Sequence, residues 1–403
     1  MTEEALAPES QQGRPLAIRG AEVLLPGEGL TEATVVVADG RIAECTSGPG
    51  GDARAIDARG LLLLPGIIDL HGDAFEHFLM PRSGVPFPAA VALAEVDRQL
   101  VANGITTAYH GITYSWEPGL RGRETVLAVL DALNRLNGVL GCDTRIHLRH
   151  ELYNVDAETE ILEWIRAGQI GLIALNDHLS MIRERLGRAE KLSQYTERSG
   201  LSPDAYRTLV EDIAARADEV APATARLCAQ ARAAGVPIAS HDDESPAMRA
   251  AYRELGVQLC EFPCNAETAA DAIAAGEPVI LGAPNVLRGG SHDGRLHAGD
   301  AINEGLCTVL ASDYYYPATL HAACQLWSDG GMELARAWDL VAGGPARAAG
   351  LTDRGMIHPS LRADLVLVDP NGALGPAVAA TIAGGRVVHA HRGLGDQRHP
   401  VLP

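Results

Sequence analysis

The stretch Ile67-Ile68-Asp69-Leu70-His71-Gly72-Asp73 decides how the rest of the sequence is interpreted. It follows an apolar run and the break Pro65-Gly66, as expected of a short buried β-strand. Side chains two residues apart in a strand share a face, so His71 and Asp73 at its carboxyl end can converge on one point. The same residues would also fit a turn in which Asp73 caps the next segment. The stretch alone therefore leaves metal binding and a purely structural role open.

Seven further apolar runs that end in polar residues follow this stretch, and amphipathic segments such as 124–136 separate them. Together the eight runs span residues 67–73, 105–110, 146–151, 172–178, 237–243, 259–262, 279–285 and 308–313. Eight strands alternating with helices predict an α/β protein with a (β/α)8 TIM-type barrel. A doubly wound open sheet is the structural alternative, although no GxGxxG motif follows the first strand.

Both ends of the chain are rich in β-forming residues, and neither end has enough strands for a core of its own. We therefore predict a small β-sandwich domain built from both ends, residues 14–64 and 352–395, with Asp39-Gly40 as one of its turns. The barrel would then be inserted between them, over residues 65–351. Residues 1–13 are polar and acidic, which predicts a disordered tail and not a signal peptide.

Composition narrows the classes of function. The 403 residues carry a formal charge of −19, which argues against a nucleic-acid partner. No apolar run approaches the roughly 20 residues that span a bilayer, so no membrane partner is expected. The seven cysteines are dispersed and form no CxxC pair, as expected of reduced thiols in a cytoplasmic protein. The expected partner is a small-molecule substrate, and a homo-oligomer remains open.

The predicted strand ends carry imidazoles and carboxylates together. In a barrel these ends meet at one face, where catalytic residues lie. The residues in question are His71, Asp73, His110, His150, Glu151, Asp177, His178, His241, Asp242, Asp243, Asn285 and Asp313. This mixture of ligands suits a divalent metal, zinc first, with manganese or iron as alternatives and with one or two ions left open.

The chain has a single lysine, Lys191, in a polar stretch far from any strand end. A lysine nucleophile or a carbamylated lysine bridging two metal ions is therefore not expected. If two ions bind, Glu151 is the candidate bridging ligand. Asp313 is expected to bind one ion and to accept the proton of the attacking water, which makes it the candidate catalytic residue.

These residues resemble the amidohydrolase superfamily and, within it, the α-D-ribose 1-methylphosphonate 5-triphosphate diphosphatase family of phosphonate metabolism. The resemblance covers about residues 64–368. It rests on the segments LPGIIDLHGD, FLMPRSGV, HLRHEL, NDH, ASHDDE, EFP, LGAPNVLRGGSH and SDYYYP. It implies a metal-ligand set of His71, Asp73, Glu151, His178, His241 and Asp313.

By this resemblance, activated water would attack a phosphoryl group of a ribose triphosphate and pyrophosphate would leave. Such a substrate needs cationic partners. Arg288, followed by two glycines and by Ser291 and His292 as hydrogen-bond donors, is the first candidate, and Arg149 and Arg82 are the others. Arg288 could instead be a surface turn residue, and Arg149 could form a structural ion pair.

Three departures from the family pattern leave the substrate open. Gly72 stands where the family has threonine, a change expected to matter little. The residues after His178, Leu179-Ser180-Met181-Ile182-Arg183, are expected to form a more apolar loop than the polar, glycine-containing one of the family. The second strand end adds the aromatic residues Tyr109, Tyr114 and Trp116, which would either pack against the ring of helices or suit the pocket to a less phosphorylated ligand. The alternatives are therefore an amidohydrolase acting on a cyclic amide, lactone or N-acyl compound, and a barrel scaffold without catalysis.

Overall fold

The computed structural model describes residues 14–290, 294–329 and 331–391. The predicted tail at residues 1–13 lies outside the described residues. The chain divides into two compact units, one drawn from Met1–Gly66 with Met356–Pro403 and the other from Ile67–Gly355. None of the described helices combines the length and the apolar character needed to cross a membrane.

The β-strands are numbered here in chain order. They are β1 Leu16–Leu25, β2 Gly29–Ala38, β3 Arg41–Thr46, β4 Arg54–Asp57, β5 Leu62–Pro65, β6 Ile67–Gly72, β7 Ile105–Tyr114, β8 Asp143–Glu151, β9 Leu172–Asn176, β10 Ile238–His241, β11 Leu259–Glu261, β12 Val279–Gly282, β13 Val309–Ala311, β14 Leu365–Asp369, β15 Ala377–Ala383 and β16 Arg386–Ala390.

The helices are numbered in the same way. They are α1 Glu76–Leu79, α2 Ala89–Ala102, α3 Arg123–Leu136, α4 Glu158–Arg166, α5 Leu179–Arg185, α6 Ala189–Ser199, α7 Pro203–Ala214, α8 Ala217–Ala233, α9 Pro246–Glu254, α10 Ala266–Ala274, α11 Ala283–Arg288, α12 Ala298–Asn303, α13 Ala318–Ser328, α14 Leu334–Asp339 and α15 Gly343–Ala348, with short 3₁₀ turns at Gly119–Arg121 and Val155–Ala157.

Strands β6 to β13 form the predicted barrel. Among the described residues these eight strands pair in chain order, each parallel to the next, and their residues are almost all buried. Burial on both faces is the usual state of a parallel sheet covered by helices, and it explains the continuous apolar runs. A bridge between Gly72 and Asp313 brings the last strand back to the first. The barrel prediction is confirmed, and the open-sheet alternative is wrong.

The strands from both chain ends form one mostly antiparallel sheet in the order β16-β15-β14-β5-β1-β2-β3, with β4 beside β1. The sheet folds back on itself, because the backbone N–H of Ile42 on β3 donates to the carbonyl oxygen of Leu361, close to β14, at 2.9 Å. The enclosed core is rich in valine, isoleucine and leucine. Asp39 and Gly40 both have positive φ in the β2–β3 turn, as predicted. The small β domain built from both ends is confirmed.

Two element boundaries differ from the prediction. Strand β7 continues to Tyr114, so His110 lies inside the strand and not at its end. The segment Gly111 to Tyr114 is itself rich in β-branched and aromatic residues, which favour an extended strand. At the seventh strand the chain turns into helix α11 directly after Gly282, so Asn285 is helical. Pro284 in the first turn suits this early helix start.

The apolar segment after His178 is a helix, and the prediction of a loop there is wrong. Helices α5, α6 and α7 pack on one another through an apolar cluster that includes Leu179, Ile182 and Tyr206. Trp116 packs against the same cluster, with its ring 6.3 Å from that of Tyr206. Leu179 and Ile182 are three residues apart, a spacing that puts both side chains on the apolar face of a helix. Helices α5 to α7 form a small helical layer, and Trp116 is part of its packing.

A buried carboxylate joins the first barrel strand to the last. Asp69 is fully buried, and its Oδ1 accepts hydrogen bonds from the backbone N–H groups of Ser312 at 2.9 Å and His71 at 3.3 Å. Its Oδ2 accepts one from the Ser312 hydroxyl at 2.5 Å. Burial raises the pKa of Asp69 to about 6, although these hydrogen bonds oppose the shift. We call this contact between Asp69 and Ser312 the barrel seam.

Gly72 has no room for a side chain at the barrel seam. A methyl group on its Cα would lie 2.8 Å from Asp69 Oδ2 and 3.0 Å from Ser312 Oγ. We expect Gly72→Ala to lower the free energy of unfolding by about 1–3 kcal/mol, because overpacking must displace this network. Urea unfolding measures the change, and Gly187→Ala, at a glycine with open space around it, is the control. Equal stabilities of the two variants would contradict the crowding argument.

Candidate metal centre

Three predicted ligands meet at the barrel seam. The backbone N–H of Asp313 donates to the carbonyl oxygen of His71 at 2.8 Å, and the N–H of Asp73 donates to the carbonyl oxygen of Asp313 at 2.8 Å. These bonds hold the ends of β6 and β13 side by side. One ligand atom from each of His71, Asp73 and Asp313 lies within 4.8 Å of the other two. An imidazole and two carboxylates at this spacing form a plausible divalent-metal site.

A second group of predicted ligands lies at the ends of β8, β9 and β10. The Nδ1 atom of His178 lies 2.5 Å from Oε1 of Glu151, a residue that is almost fully buried. Ligand atoms of His178, His241 and Asp242 lie within 4.8 Å of one another. Asp242 was recognised as a strand-end carboxylate but was not among the predicted ligands. Its carboxylate also pairs with Arg295, which competes with a role as a metal ligand.

Glu261 lies between the two groups and was missed as a functional residue. It is fully buried at the end of β11, and its Oε2 lies 2.8 Å from Nδ1 of His241. Its Oε1 lies 2.8 Å from Nδ1 of His71. A carboxylate on the inner nitrogen of a histidine fixes the ring and leaves the other nitrogen for a metal. The sequence did contain a sign of this role, because Glu261 lies at a predicted strand end, in the segment EFP.

His147 is a further buried histidine beside Glu261, and it was also missed. Its Nδ1 lies 2.9 Å from the carbonyl oxygen of Leu70, and its Nε2 lies 3.9 Å from Glu261 Oε2. It lies on β8 two residues before Arg149, so alternation along the strand puts it on the same face as Arg149 and Glu151. It belongs to a third group with His71 and Glu261, whose ligand atoms also lie within 4.8 Å of one another.

Burial favours the neutral form of three imidazoles in the centre, those of His71, His147 and His241. It lowers the pKa of His71 to about 3 and that of His147 to about 4, and it lowers the pKa of His241 as well. The positive charge of Arg149 adds to the effect on His71 and His241. Neutral imidazole is the form that binds a metal ion.

The carboxylates of the centre differ in charge state. Burial, aided by the charge of Asp73, raises the pKa of Asp313 to about 7. Burial also opposes the ionisation of Glu151, but its contacts with His178 and the charge of Arg149 outweigh burial and lower its pKa. A buried carboxylate whose pKa is raised by another carboxylate indicates a place where positive charge would be stabilising.

The donor set therefore fits a divalent metal ion. Buried polar atoms without a hydrogen-bond partner are uncommon in proteins. Here the buried Nε2 of His147 has no hydrogen-bond partner among the described residues, and it lies 3.9 Å from Glu261 Oε2. Imidazoles and carboxylates together suit zinc, manganese or iron better than magnesium or calcium.

Arg149 lies among the candidate ligands. One guanidinium nitrogen is 3.3 Å from Asp73 Oδ2, and another is 3.3 Å from His241 Nε2. Its Nε is buried and has no hydrogen-bond partner within residues 14–290, 294–329 and 331–391. Because a guanidinium and a divalent ion repel each other, a metal held by Asp73 and His241 would require Arg149 to withdraw. Arg149 therefore forms an ion pair with Asp73, which is one of the two roles that the sequence left open. It also lies beside the candidate ligands, where contact with a substrate is expected.

The other predicted substrate residues are less close to these ligands. Arg288 is exposed at the end of α11, and its guanidinium donates to the hydroxyl of Tyr314 at 3.3 Å. Arg82 is exposed, and no hydrogen bond joins its side chain to a proposed ligand among the residues that the structure describes. Ser291 and His292 lie outside the described residues. The proposed anion-binding role of this set stays a prediction.

Several strand-end residues have structural partners. The amide of Asn285 donates to the carbonyl oxygen of Leu296 at 3.3 Å. Asp243 is fully buried and accepts hydrogen bonds from Ser240 and Arg249. His150 is buried next to Glu151 in β8, so alternation points it to the opposite face of the strand. These residues support the barrel and do not join the candidate ligands.

The two remaining aromatic residues of the second strand lie on opposite faces of β7. The hydroxyl of Tyr114 donates to Glu160 at 2.8 Å, and its ring lies 5.5 Å from that of Trp164 on α4, outside the barrel. Tyr109 packs in the apolar core inside the barrel, where its hydroxyl lies 3.3 Å from Arg145. The effect of these aromatics on the choice of substrate stays a prediction.

The sequence is similar to a characterised enzyme over most of its length. It is 32% identical over 361 residues, 87% of this chain and 94% of the other, to the α-D-ribose 1-methylphosphonate 5-triphosphate diphosphatase of Escherichia coli K12. It is 26% identical to an adenine deaminase of Methylobacterium nodulans, over 96% of this chain and 60% of the deaminase. A search with protein-family models found no match.

The fold is similar to solved structures. The crystal structure of an amidohydrolase aligns with 94% of this chain and 100% of its own, with a TM-score of 0.63 and 16% sequence identity. At that identity the likeness establishes the fold alone.

Proposed function

The chain belongs to the amidohydrolase superfamily, in the family of α-D-ribose 1-methylphosphonate 5-triphosphate diphosphatases, and from this premise we propose that it hydrolyses a phosphorylated ribose and releases pyrophosphate. As a member of this family it is a metal-dependent hydrolase of small molecules. The proposal concerns the substrate, the bond that is broken and the residues responsible.

One observation carries the proposal: six residues at the ends of five barrel strands converge at one face. His71, Asp73 and Asp313 group at the barrel seam, and His178 and His241 group with Asp242. Glu151 contacts His178 directly, and Arg149 lies between Asp73 and His241. Two adjacent ligand groups support a centre of two ions.

In the proposed centre, His71, Asp73 and Asp313 would hold one ion, and His178 and His241 would hold the other. Glu151 would be the carboxylate shared by both. Zinc is the first candidate for the metal, with manganese or iron as alternatives. When bound, a divalent ion supplies Lewis-acid activation of water and of the phosphoryl oxygen.

The protein's own groups supply the remaining steps. Asp313 accepts the proton of the attacking water. Glu261 keeps the rings of His71 and His241 in place. Arg149, once withdrawn from Asp73, is positioned to pair with the negative charge of a phosphorylated substrate, because it lies at the same face as the ligands.

A second candidate is hydrolysis at a carbon centre, such as a cyclic amide, lactone or N-acyl compound. The similarity to an adenine deaminase supports it, because that enzyme is named for a reaction at a carbon centre. The same arrangement of ligands can serve either reaction, since metal-activated water attacks carbonyl and phosphoryl centres alike.

The test is to purify the protein without added metal, measure its metal content and assay two substrate panels. We expect stoichiometric transition metal, pyrophosphate release from a ribose 5-triphosphate, and loss of that activity on chelation with recovery when zinc or manganese is added. Less than about a tenth of an equivalent of metal, without rescue by added metal, would contradict a metal-dependent reaction. Turnover of the amide or lactone panel without pyrophosphate release would favour the second candidate.

A further inference from the structure

A small cavity opens beside the candidate metal centre, at the ends of β7, β8 and β9. Its volume is about 100 Å³, and Glu151 and His178 form part of its wall. Opposite them, Met181 and Ile182 of α5 and residues of α6 close it. The cavity therefore lies between the centre and the helical layer of α5 to α7.

Cationic and hydroxyl donors line this cavity. Arg121, Arg149 and Arg198 contribute guanidinium groups, and Thr113 and Ser115 contribute hydroxyls. Thr113 is only 3% exposed, and its Oγ1 has no hydrogen-bond partner among the described residues. The Nε atoms of Arg121 and Arg149 are also buried without a partner. Since buried polar groups are nearly always paired, these donors indicate a ligand with several acceptor atoms.

The guanidinium groups differ in how firmly they are held. Arg198 makes two short hydrogen bonds to the buried carboxylate of Glu117, at 2.7 and 2.6 Å, and so ties helix α6 to the barrel. The guanidinium of Arg121 makes one hydrogen bond within the described part of the chain, at 3.2 Å to Glu76. Arg149 pairs with Asp73 at 3.3 Å, a residue whose charge the proposed centre assigns to a metal. Arg121 and Arg149 therefore keep donors available, and Arg198 is structural.

We propose that this cavity binds one small oxyanion of the substrate, a phosphoryl or phosphonyl group, through Arg121, Arg149 and Thr113. The assignment rests on the proposed function, because it places a charged group of a phosphorylated substrate beside Glu151 and His178. The cavity is too small for a triphosphate, so it takes a single tetrahedral group. Met181 and Ile182 on the far wall exclude water and strengthen the charge-assisted hydrogen bonds.

The experiment measures binding of inorganic phosphate to the full-length, metal-loaded protein by isothermal titration calorimetry. Phosphate held by the metal alone would not respond to changes in the cavity, so the variants separate the two sites. We expect wild-type protein to bind phosphate at millimolar concentrations. Arg121→Gln should weaken binding by about tenfold, as expected for a lost charge-assisted contact. Thr113→Val, which keeps the shape of the side chain, should weaken it by about threefold.

Arg123→Gln is the matched control, because Arg123 is an exposed arginine in the same segment that pairs with Glu160. Equal weakening of phosphate binding in Arg123→Gln would show a general charge effect and overturn the proposal. The proposal would also be overturned if wild-type protein bound no phosphate, or if both cavity variants bound it as well as wild type. If Arg121→Gln does not fold, the Thr113→Val variant alone tests the proposal. Weaker phosphate binding than in wild type would support the proposal, and unchanged binding would overturn it.

The binding assay needs no turnover, so it separates this inference from the proposed function. If Arg121→Gln lost phosphate binding, the assignment of the cavity as an oxyanion site would stand even for an enzyme that hydrolyses amides. Pyrophosphate release by a wild-type enzyme that binds no phosphate in this cavity would overturn the inference alone.

Discussion

Asp313→Asn should lower kcat by about 10³-fold, because asparagine cannot accept the proton of the attacking water. Asparagine is the right replacement for two structural reasons. Asp313 has φ of +56°, a conformation that asparagine tolerates better than other residues. Its backbone bonds to His71 and Asp73 do not depend on the side chain, so the barrel seam should remain closed.

The Asp313→Asn measurement is steady-state turnover of the best substrate found, together with metal content and thermal unfolding. Asp218→Asn, at an exposed position in the first turn of α8, is the control for the chemical change itself. If the Asp313→Asn enzyme kept turnover within about threefold of wild type with its metal intact, Asp313 would not be the proton acceptor.

Glu151→Ala should abolish turnover and lower the metal content, because the proposed bridge between the two ions is removed. Glu151 also accepts the backbone N–H of His178 at 3.3 Å, so its loss releases the β9 end that presents this ligand. We expect no more than one ion per chain in the variant, against two in wild type, measured by elemental analysis after dialysis.

Two further variants make the Glu151 result specific. Glu151→Gln preserves the shape and one acceptor for His178, so a folded protein with reduced metal content would assign the effect to the lost charge. Asp177→Ala changes an exposed carboxylate next to His178 whose Oδ1 accepts only the N–H of Leu179, and its metal content should equal that of wild type. Two ions retained in Glu151→Ala would rule out this residue as the bridge.

The sequence predicts the scaffold well because the scaffold follows local patterns. Apolar strands alternating with amphipathic helices identify the barrel, and each run ends close to where its strand ends. The same rule placed His71, Glu151 and His241 at one face, since the carboxyl ends of parallel strands must meet there. The sequence also predicted one domain built from the two β-rich chain ends, because neither end could bury a hydrophobic core alone.

What the sequence did not predict depends on contacts between distant segments. Glu261 ends a predicted strand, yet its role arises only because His71 and His241 come from other strands to meet it. Helices α5 to α7 were missed because a short segment such as residues 179–183 fits a loop or a helix until packing partners appear. The placement of Arg149 beside Asp73 likewise depends on the register between strands.

The barrel seam has a consequence for how the protein folds. Asp69 and Ser312 are 243 residues apart in the chain, so closing the barrel requires one of its longest-range contacts. Contacts of such high sequence separation carry a large loop-closure entropy and form late and slowly. His71, Asp73 and Asp313 flank that contact, and a chain still emerging from the ribosome has only part of this ligand group. The proposed ion at the barrel seam would therefore find its full set of ligands only after synthesis of the last barrel strand.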